Sequence, residues 1–116
     1  MNILAQVNQM DSLISQGEII AAADQFFADN LVTSDYGNVQ TTSKNQTIEK
    51  LEGFLNAIAK VNGITHHHSL ANDNVSASEF TFDFDMKDGS KILWHEIIRR
   101  IWQEGRVVRE EYFNAQ

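Results

Sequence analysis

Residues 79–86, EFTFDFDM, alternate between polar and apolar side chains, and this pattern restricts the fold more than any other feature of the chain. The apolar set is Phe80, Phe82, Phe84 and Met86, and the polar set is Glu79, Thr81, Asp83 and Asp85. Because successive side chains of a strand point to opposite faces, this period of two predicts a strand with one buried and one solvated face. Such strands are typical of antiparallel sheets that are covered on one side.

Two further strands are predicted downstream, each after a turn. KDGS at residues 87–90 is typical of a hairpin turn and leads into the long strand segment KILWHEIIRRIW at residues 91–102. QEG at residues 103–105 is a second turn, and RVVREEYF at residues 106–113 is a final strand. Strand periodicity begins near Ile64, so the C-terminal half predicts a four-stranded meander.

The N-terminal half has helical periodicity instead. Residues 2–15 carry an apolar stripe at steps of three and four residues, and a second helical run begins at Glu18. A short strand is predicted at residues 31–36. A third helix begins at the capping box formed by Ser43 and Gln46.

This third helix is predicted to end at Asn62–Gly63. Three helices, one short strand among them and a strand meander predict an α+β fold, in which a curved antiparallel sheet wraps around the helices. No linker or repeat interrupts residues 1–116, so the chain is predicted to be a single domain.

The long strand at residues 91–102 is apolar on both faces. One face carries Leu93, His95, Ile97, Arg99 and Ile101, and the other carries Trp94, Glu96, Ile98, Arg100 and Trp102. Only one face can cover the helices, and an exposed patch with two tryptophans is unusual on a monomer. We therefore expect a homodimer that forms through the outer face of the sheet.

Composition excludes several classes of partner. The net charge is −7, from 9 Lys and Arg against 16 Asp and Glu, which disfavours nucleic acid and anionic membranes as partners. The chain has no cysteine, no apolar run long enough to span a bilayer and no start typical of a secretion signal, so a cytoplasmic location is expected. Its 6 glycines are not clustered in a phosphate loop, so no organic cofactor is expected.

Two segments carry a resemblance to a known family. FFADNLVTSDYG at residues 26–37, following a pair of helices, and EGRVVREEYFN at residues 104–114 resemble the SnoaL-like polyketide cyclases. More broadly, residues 2–114 are similar to the superfamily of nuclear transport factor 2 and ketosteroid isomerase. The resemblance implies a cone in which the sheet encloses the helices, an apolar pocket between them, and dimers formed through the outer sheet face.

The resemblance also implies a function, which is the binding of a small apolar molecule. It further implies proton transfer on a carbonyl compound, as in an isomerase, cyclase or dehydratase. The alternative is a non-catalytic module that uses the same cavity for a ligand or serves for dimerisation. The state of the cavity is expected to distinguish these two functions. Candidate residues that meet at one open cavity favour the enzyme, whereas aromatic side chains that fill the cavity favour the non-catalytic module.

Asp35 occupies the position at which the steroid isomerases carry their catalytic base. An apolar pocket disfavours the charged form of a carboxyl group and makes it a better base. The alternative is that Asp35 caps a turn, since Asp–Tyr–Gly is also typical of turns. Two oxyanion donors of the isomerases fall on Asp11 and near Ile97 and are therefore absent. Tyr36, which follows Asp35 in the sequence, and Ile97 are expected to contact the ligand.

Three residues on the last two strands complete the predicted site. The resemblance turns His95 inward, where it is either a second acid or base or a hydrogen-bonded core residue. Tyr112, on or near the position of the cyclases' aspartate, can donate a hydrogen bond to a developing oxyanion. Glu110 shares its face and is expected either to contact the ligand or to pair with Arg99 or Arg109.

The run THHHS at residues 65–69 is the remaining candidate. Period two places His66 and His68 on the inner face and His67 on the outer face, unless a bulge shifts the register. An H-x-H pair on a strand can ligate a metal ion. Pocket lining and a purely structural role are the alternatives, and no metal is assigned.

Overall fold

The helices and strands follow one another in the predicted order, with one addition. The computed structural model of the protein describes residues 2–115, which form three helices: α1 (Leu4–Ser15), α2 (Ile19–Phe26) and α3 (Lys44–Asn56). The same residues form six strands: β1 (Phe27–Asp35), β2 (Asn38–Thr41), β3 (Ile58–Asn72), β4 (Val75–Met86), β5 (Lys91–Gln103) and β6 (Arg106–Asn114). The sequence pattern does not indicate β2, because a four-residue, mostly exposed strand shows no useful periodicity.

The predicted end of the third helix at Asn62–Gly63 is wrong. Helix α3 ends at Asn56, and Ile58 already pairs with Met86 as the first residue of β3. The apolar residues at the end of the predicted helix fit a strand equally well. Pairing with the long strand β4 therefore overrides the helical pattern there. The predicted start is confirmed, since Ser43 Oγ accepts a hydrogen bond from the Gln46 amide at 3.1 Å.

The six strands form one curved sheet in the order β2-β1-β6-β5-β4-β3. The predicted α+β class is confirmed, but the sheet is mixed because β1 runs parallel to β6. This parallel pair places Asp35 beside Tyr112 and Thr33 beside Glu110. The end of β1 therefore lies beside the residues of β6 that include Glu110 and Tyr112.

The inner face of the sheet packs on the helices. Phe80 and Phe84 of β4 are buried there, together with Val7 and Met10 of α1. Trp102 is also buried, with its ring edge against Phe26. Burial of large side chains of this kind stabilises the fold by about 1.5–3 kcal/mol for each aliphatic or aromatic side chain.

The register of the hairpin between β4 and β5 decides which side chains of β5 face the helices. Phe82 lies opposite Trp94, and Thr81 lies opposite His95. Directly opposite residues of an antiparallel pair lie on one face, so the even-numbered residues of β5 are inward. Trp94 accordingly stacks on Phe54, with ring centroids 5.5 Å apart. The expectation that two tryptophans lie exposed on the outer face is therefore wrong.

Within residues 2–115, no helix is long and apolar enough to cross a membrane.

Candidate functional site

A cavity of about 610 Å³ lies between the sheet and helices α2 and α3. Most of its wall is apolar, with contributions that include Ile19, Phe27, Leu51, Phe54, Leu55, Phe82, Phe84, Trp94 and Ile98. Phe54 and Phe82 line the cavity without filling it. This size and lining are typical of sites for small organic molecules.

Three carboxyl groups belong to the cavity wall: Asp35, Glu96 and Glu110. Asp35, at the end of β1, is exposed, whereas Glu96 is half-buried and Glu110 is buried. Asp35 therefore stands at the mouth of the cavity and Glu110 deep in its wall.

Glu96 has a strongly perturbed acidity. Burial, followed by the negative charges of Asp35 and Glu110, raises the pKa of Glu96 from 4.5 to about 7. Each of these effects disfavours the charged carboxylate. Glu96 can therefore hold or release a proton near neutral pH, as a general acid or base requires.

The raised pKa of Glu96 predicts a pH-dependent stability. Between pH 4.5 and 7 the folded protein binds more protons at Glu96 than the unfolded chain does, so stability falls as the pH rises through this window. Glu96→Gln cannot ionise and should lose less stability between pH 5 and pH 8. Allowing for solvent screening of this partly exposed group, we expect a difference of about 1–2 kcal/mol in urea unfolding.

Glu52→Gln, on the exposed side of α3, is the matched control for this experiment and should follow the wild-type pH dependence. Identical pH dependence in Glu96→Gln and the wild type would contradict the raised pKa of Glu96.

A buried ionic network centred on Arg100 adjoins the cavity wall. Its Nη1 donates to Asp11 Oδ1 at 2.9 Å, and its Nε donates to Glu110 Oε2 at 2.9 Å. All three side chains are almost completely buried. Although burial opposes it, the charges of Glu110 and Asp11 hold the pKa of Arg100 above its ordinary value. The network thus combines two carboxylates with one guanidinium.

Two serines and a histidine extend this network toward β3. Asp11 Oδ2 accepts hydrogen bonds from Ser69 Oγ at 2.5 Å and Ser78 Oγ at 2.7 Å. His66 Nε2 lies 2.6 Å from Ser69 Oγ and 3.5 Å from Asp11 Oδ2. Because the single Ser69 hydroxyl proton is shared with the carboxylate, His66 Nε2 is the donor in its contact with Ser69.

Tyr112 lines the cavity as predicted, but its hydroxyl proton is already engaged. The Tyr112 hydroxyl donates to Glu110 Oε1. Burial and the negative charge of Glu110 raise the pKa of Tyr112 well above its ordinary value, so the phenol stays protonated. In this arrangement Tyr112 presents lone pairs to a ligand, and its predicted role as an oxyanion donor requires the bond to Glu110 to break.

Three threonines form a hydroxyl chain in the cavity wall. Thr33 Oγ1 lies 2.5 Å from Thr41 Oγ1, which lies 2.7 Å from Thr47 Oγ1. Thr47 donates its proton to the Ser43 carbonyl at 2.7 Å. Since a hydroxyl has one proton, Thr41 must donate to Thr47 and Thr33 to Thr41. Thr33 therefore offers the cavity only acceptor lone pairs.

The prediction that His95 and Ile97 face the cavity is wrong. His95 borders the cavity, but it lies opposite Thr81, and its Nε2 is 2.5 Å from Glu79 Oε2 on the outer face of the sheet. This hydrogen bond lowers the pKa of Glu79. Ile97 is likewise on the outer face, because it lies opposite Glu79. The hairpin register described above is the physical reason.

The prediction for the histidine run is correct at two positions and wrong at the third. His66 lies on the inner face, opposite Phe80, and His67 lies on the outer face, with Nε2 2.7 Å from Thr81 Oγ1. A bulge between His66 and His68 inserts one residue and turns His68 outward, opposite Glu79. In residues 2–115, no group of three or more His, Asp or Glu is arranged to hold a metal ion.

Tyr36 and Glu110 both line the cavity, and of the predictions for them only the pairing of Glu110 with Arg99 or Arg109 is wrong. Tyr36 stands at the cavity mouth, where its hydroxyl accepts a hydrogen bond from the Asn114 amide at 2.6 Å. Glu110 pairs with Arg100 and not with Arg99 or Arg109. Arg99 instead binds Glu111 at 2.6 Å on the outer face.

Glu96, Arg100 and Asp11 are the site residues that sequence reasoning misses as functional groups. Glu96 and Arg100 are four residues apart on β5, on the same face as Ile98. Charged residues among apolar ones on a strand face can signal a buried polar site. This pattern of charged and apolar residues identifies the site only if the face of β5 that carries Glu96 and Arg100 is known to be the inner one.

Comparison with solved structures places the fold among known proteins. A protein of Mesorhizobium loti described as a SnoaL-like polyketide cyclase superposes with a TM-score of 0.86 at 20% identity, covering 97% of this chain and 99% of that chain. A cystatin-fold protein of Novosphingobium aromaticivorans has a TM-score of 0.82 at 12% identity, covering 98% and 99%. An LEH-like epoxide hydrolase of M. tuberculosis has a TM-score of 0.74 at 15% identity, covering 97% and 81%.

No family profile matches the chain, and no curated protein matches its sequence. The structural matches show the fold class, which is an α+β fold of the kind that the solved structures call cystatin-like. Within that class, the chain has the SnoaL-like fold of the nuclear transport factor 2-like proteins, and the predicted resemblance is confirmed for the fold.

Proposed function

We propose that the protein binds a small apolar carbonyl compound in the cavity and transfers a proton on it. The observation that carries the proposal is the pairing of Asp35 with Glu96, whose pKa is raised to about 7, in the wall of one apolar cavity. A carboxyl group that holds its proton near neutral pH can serve as the acid beside a second carboxyl group that serves as the base.

In this proposal Asp35 is the base and Glu96 is the acid. The substrate of such a reaction has a carbon–carbon double bond beta to the carbonyl. Asp35 removes a proton from the carbon between the two groups, and Glu96 gives its proton to the carbonyl oxygen, which produces a conjugated dienol. Glu96 then recovers the hydroxyl proton while Asp35 returns its proton to a different carbon. The substrate is isomerised, both carboxyl groups return to their initial state, and no electron acceptor is consumed.

Proton transfer is measurable before the natural substrate is known. Cyclic enones and aryl ketones incubated with the protein in D₂O should incorporate deuterium next to the carbonyl faster than in buffer. NMR measures the incorporation directly, and general acid–base catalysis contributes roughly 10²–10⁴-fold to such rates. Ligand binding without any deuterium incorporation would contradict catalysis.

A second candidate is a binding module without catalysis. The engaged Tyr112 proton and the outward position of His95 favour it, because they remove two of the three predicted catalytic groups from action. The solved structures described as a polyketide cyclase and an epoxide hydrolase favour the enzyme instead. The deuterium experiment separates these two candidates.

A homodimer through the outer sheet face is part of the proposal. The outer face of β5 carries Leu93 with 67% and Ile97 with 37% of their surfaces exposed. Covering these side chains with a second copy would remove apolar surface from water. We expect a dimer in sedimentation at micromolar concentration, and a monomer for the double variant Leu93→Glu, Ile97→Glu.

Val39→Glu, on the exposed strand β2, is the control for this experiment and should leave the dimer intact. A monomeric wild-type protein at these concentrations would refute the dimer.

A further inference from the structure

One nitrogen of Arg100 has no partner in the described part of the chain. Nε donates to Glu110, and Nη1 donates to Asp11 and, at 3.2 Å, to Ser78 Oγ. Nη2 is buried and makes no hydrogen bond to residues 2–115. Unpaired buried donors are rare in native proteins, so each of them requires an explanation.

Arg100 also lines the ligand cavity, although its side chain is completely buried. Its single positive charge is already outnumbered by the two carboxylates of Asp11 and Glu110. A third carboxylate at Nη2 would be repelled by both of them. An uncharged acceptor oxygen satisfies the free N–H groups without adding negative charge.

We propose that Arg100 Nη2 anchors an uncharged carbonyl or ether oxygen at one end of the ligand, while the reacting carbonyl lies between Asp35 and Glu96. This inference rests on the proposed function of the cavity and adds a class of ligand. The ligand is an apolar compound with oxygen functions at two ends.

The strand geometry sets the approximate length of such a ligand. Glu96 and Arg100 lie on the same face of β5, with Ile98 between them. Four residues of a strand span about 13 Å between Cα atoms, and both residues belong to the cavity wall. A rigid body of two fused rings is the kind of molecule that spans this distance over an apolar floor.

Three naphthalenes test the anchor in the wild-type protein by titration calorimetry. They share a 2-acetyl group and carry a methoxy, an ethyl or a carboxylate group at position 6: 6-methoxy-2-acetonaphthone, 2-acetyl-6-ethylnaphthalene and 6-acetyl-2-naphthoate. The methoxy compound should bind about tenfold more tightly than its ethyl counterpart, because its methoxy oxygen accepts a hydrogen bond from the charged Arg100 guanidinium. The carboxylate should bind more weakly than the methoxy compound.

Arg100→Lys keeps a positive charge for Asp11 and Glu110 but removes Nη2. This variant should bind the methoxy and ethyl compounds equally. If it does not fold, as judged by circular dichroism, ¹⁵N-arginine NMR of the wild type replaces it. The Nη2 protons of Arg100 should then shift and exchange more slowly with the methoxy compound but not with the ethyl compound.

The outcomes separate this inference from the proposed function. Equal wild-type affinity for the methoxy and ethyl compounds overturns the anchor alone. Tighter binding of the carboxylate, or a methoxy preference that survives in Arg100→Lys, also overturns it. Failure of all three naphthalenes to bind overturns both the anchor and the proposed ligand site.

Discussion

Replacing Arg100 with methionine is expected to destabilise the protein by about 3–5 kcal/mol, because it leaves Asp11 and Glu110 buried without a counter-charge. Asp11 is fully buried and Glu110 almost so. Such a loss is a large fraction of the stability of a domain of this size, which is typically about 5–15 kcal/mol. Urea unfolding at pH 7, followed by circular dichroism, measures the change.

The adjacent residue is a matched control. Arg99 forms an ion pair with Glu111 on the outer face, where 43% of its side-chain surface is exposed. Arg99→Met should therefore cost less than about 1 kcal/mol, as is usual for surface ion pairs. Equal effects of the two substitutions would show that Arg100 is not the centre of a buried network.

A triple substitution separates the charge from the packing. If Asp11→Leu, Arg100→Met and Glu110→Leu are combined, no buried charge is left without a partner. Replacing a buried ionic cluster with apolar residues is often neutral or stabilising. We therefore expect the triple variant to recover most of the stability that Arg100→Met loses.

Much of the fold follows from the sequence because its signals are local. The alternation around Phe80 and Phe84 indicates a half-buried strand, and both residues are buried. The capping box at Ser43 and Gln46 marks the start of α3. In each case one period or one hydrogen bond determines the structure, so no long-range information is required.

The candidate site is less predictable because it depends on register. A two-residue turn at Asp88–Gly89 would pair Lys87 with Ser90 and turn His95 inward. The observed turn is one residue longer, with the Met86 amide bonded to the Ser90 carbonyl at 2.9 Å. Gly89 supports this turn with a φ of +90°. A shift of one residue moves every side chain of β5 to the opposite face.

The same reasoning explains the histidine run. Period two predicts His66 and His68 on one face, but the bulge adds a residue between them. Nothing in the letters THHHS determines where the bulge lies, because it depends on pairing with β4. Asp11 shows a third reason why the site is hard to predict from the sequence. Its partners Ser78 and Arg100 lie 67 and 89 residues away along the chain.

Asp35→Asn is expected to reduce proton transfer by roughly 10²–10⁴-fold, because an amide cannot accept the proton from carbon. Asp35 is exposed and its substitution leaves the buried network intact, so folding stability should change by less than about 0.5 kcal/mol. Asparagine is nearly isosteric with aspartate, and ligand affinity should therefore be largely retained. Deuterium incorporation and calorimetry measure the two properties separately.

Asp29→Asn is the matched control, because Asp29 is exposed on the same strand but does not line the cavity. It should have the wild-type rate. Glu96→Gln should also slow the reaction, and it should abolish the part of the pH–rate profile that titrates near pH 7. A wild-type rate in Asp35→Asn would exclude Asp35 as the base. Loss of the rate in Asp35→Asn with the profile near pH 7 unchanged in Glu96→Gln would instead leave Asp35 as the base and exclude Glu96 as the acid.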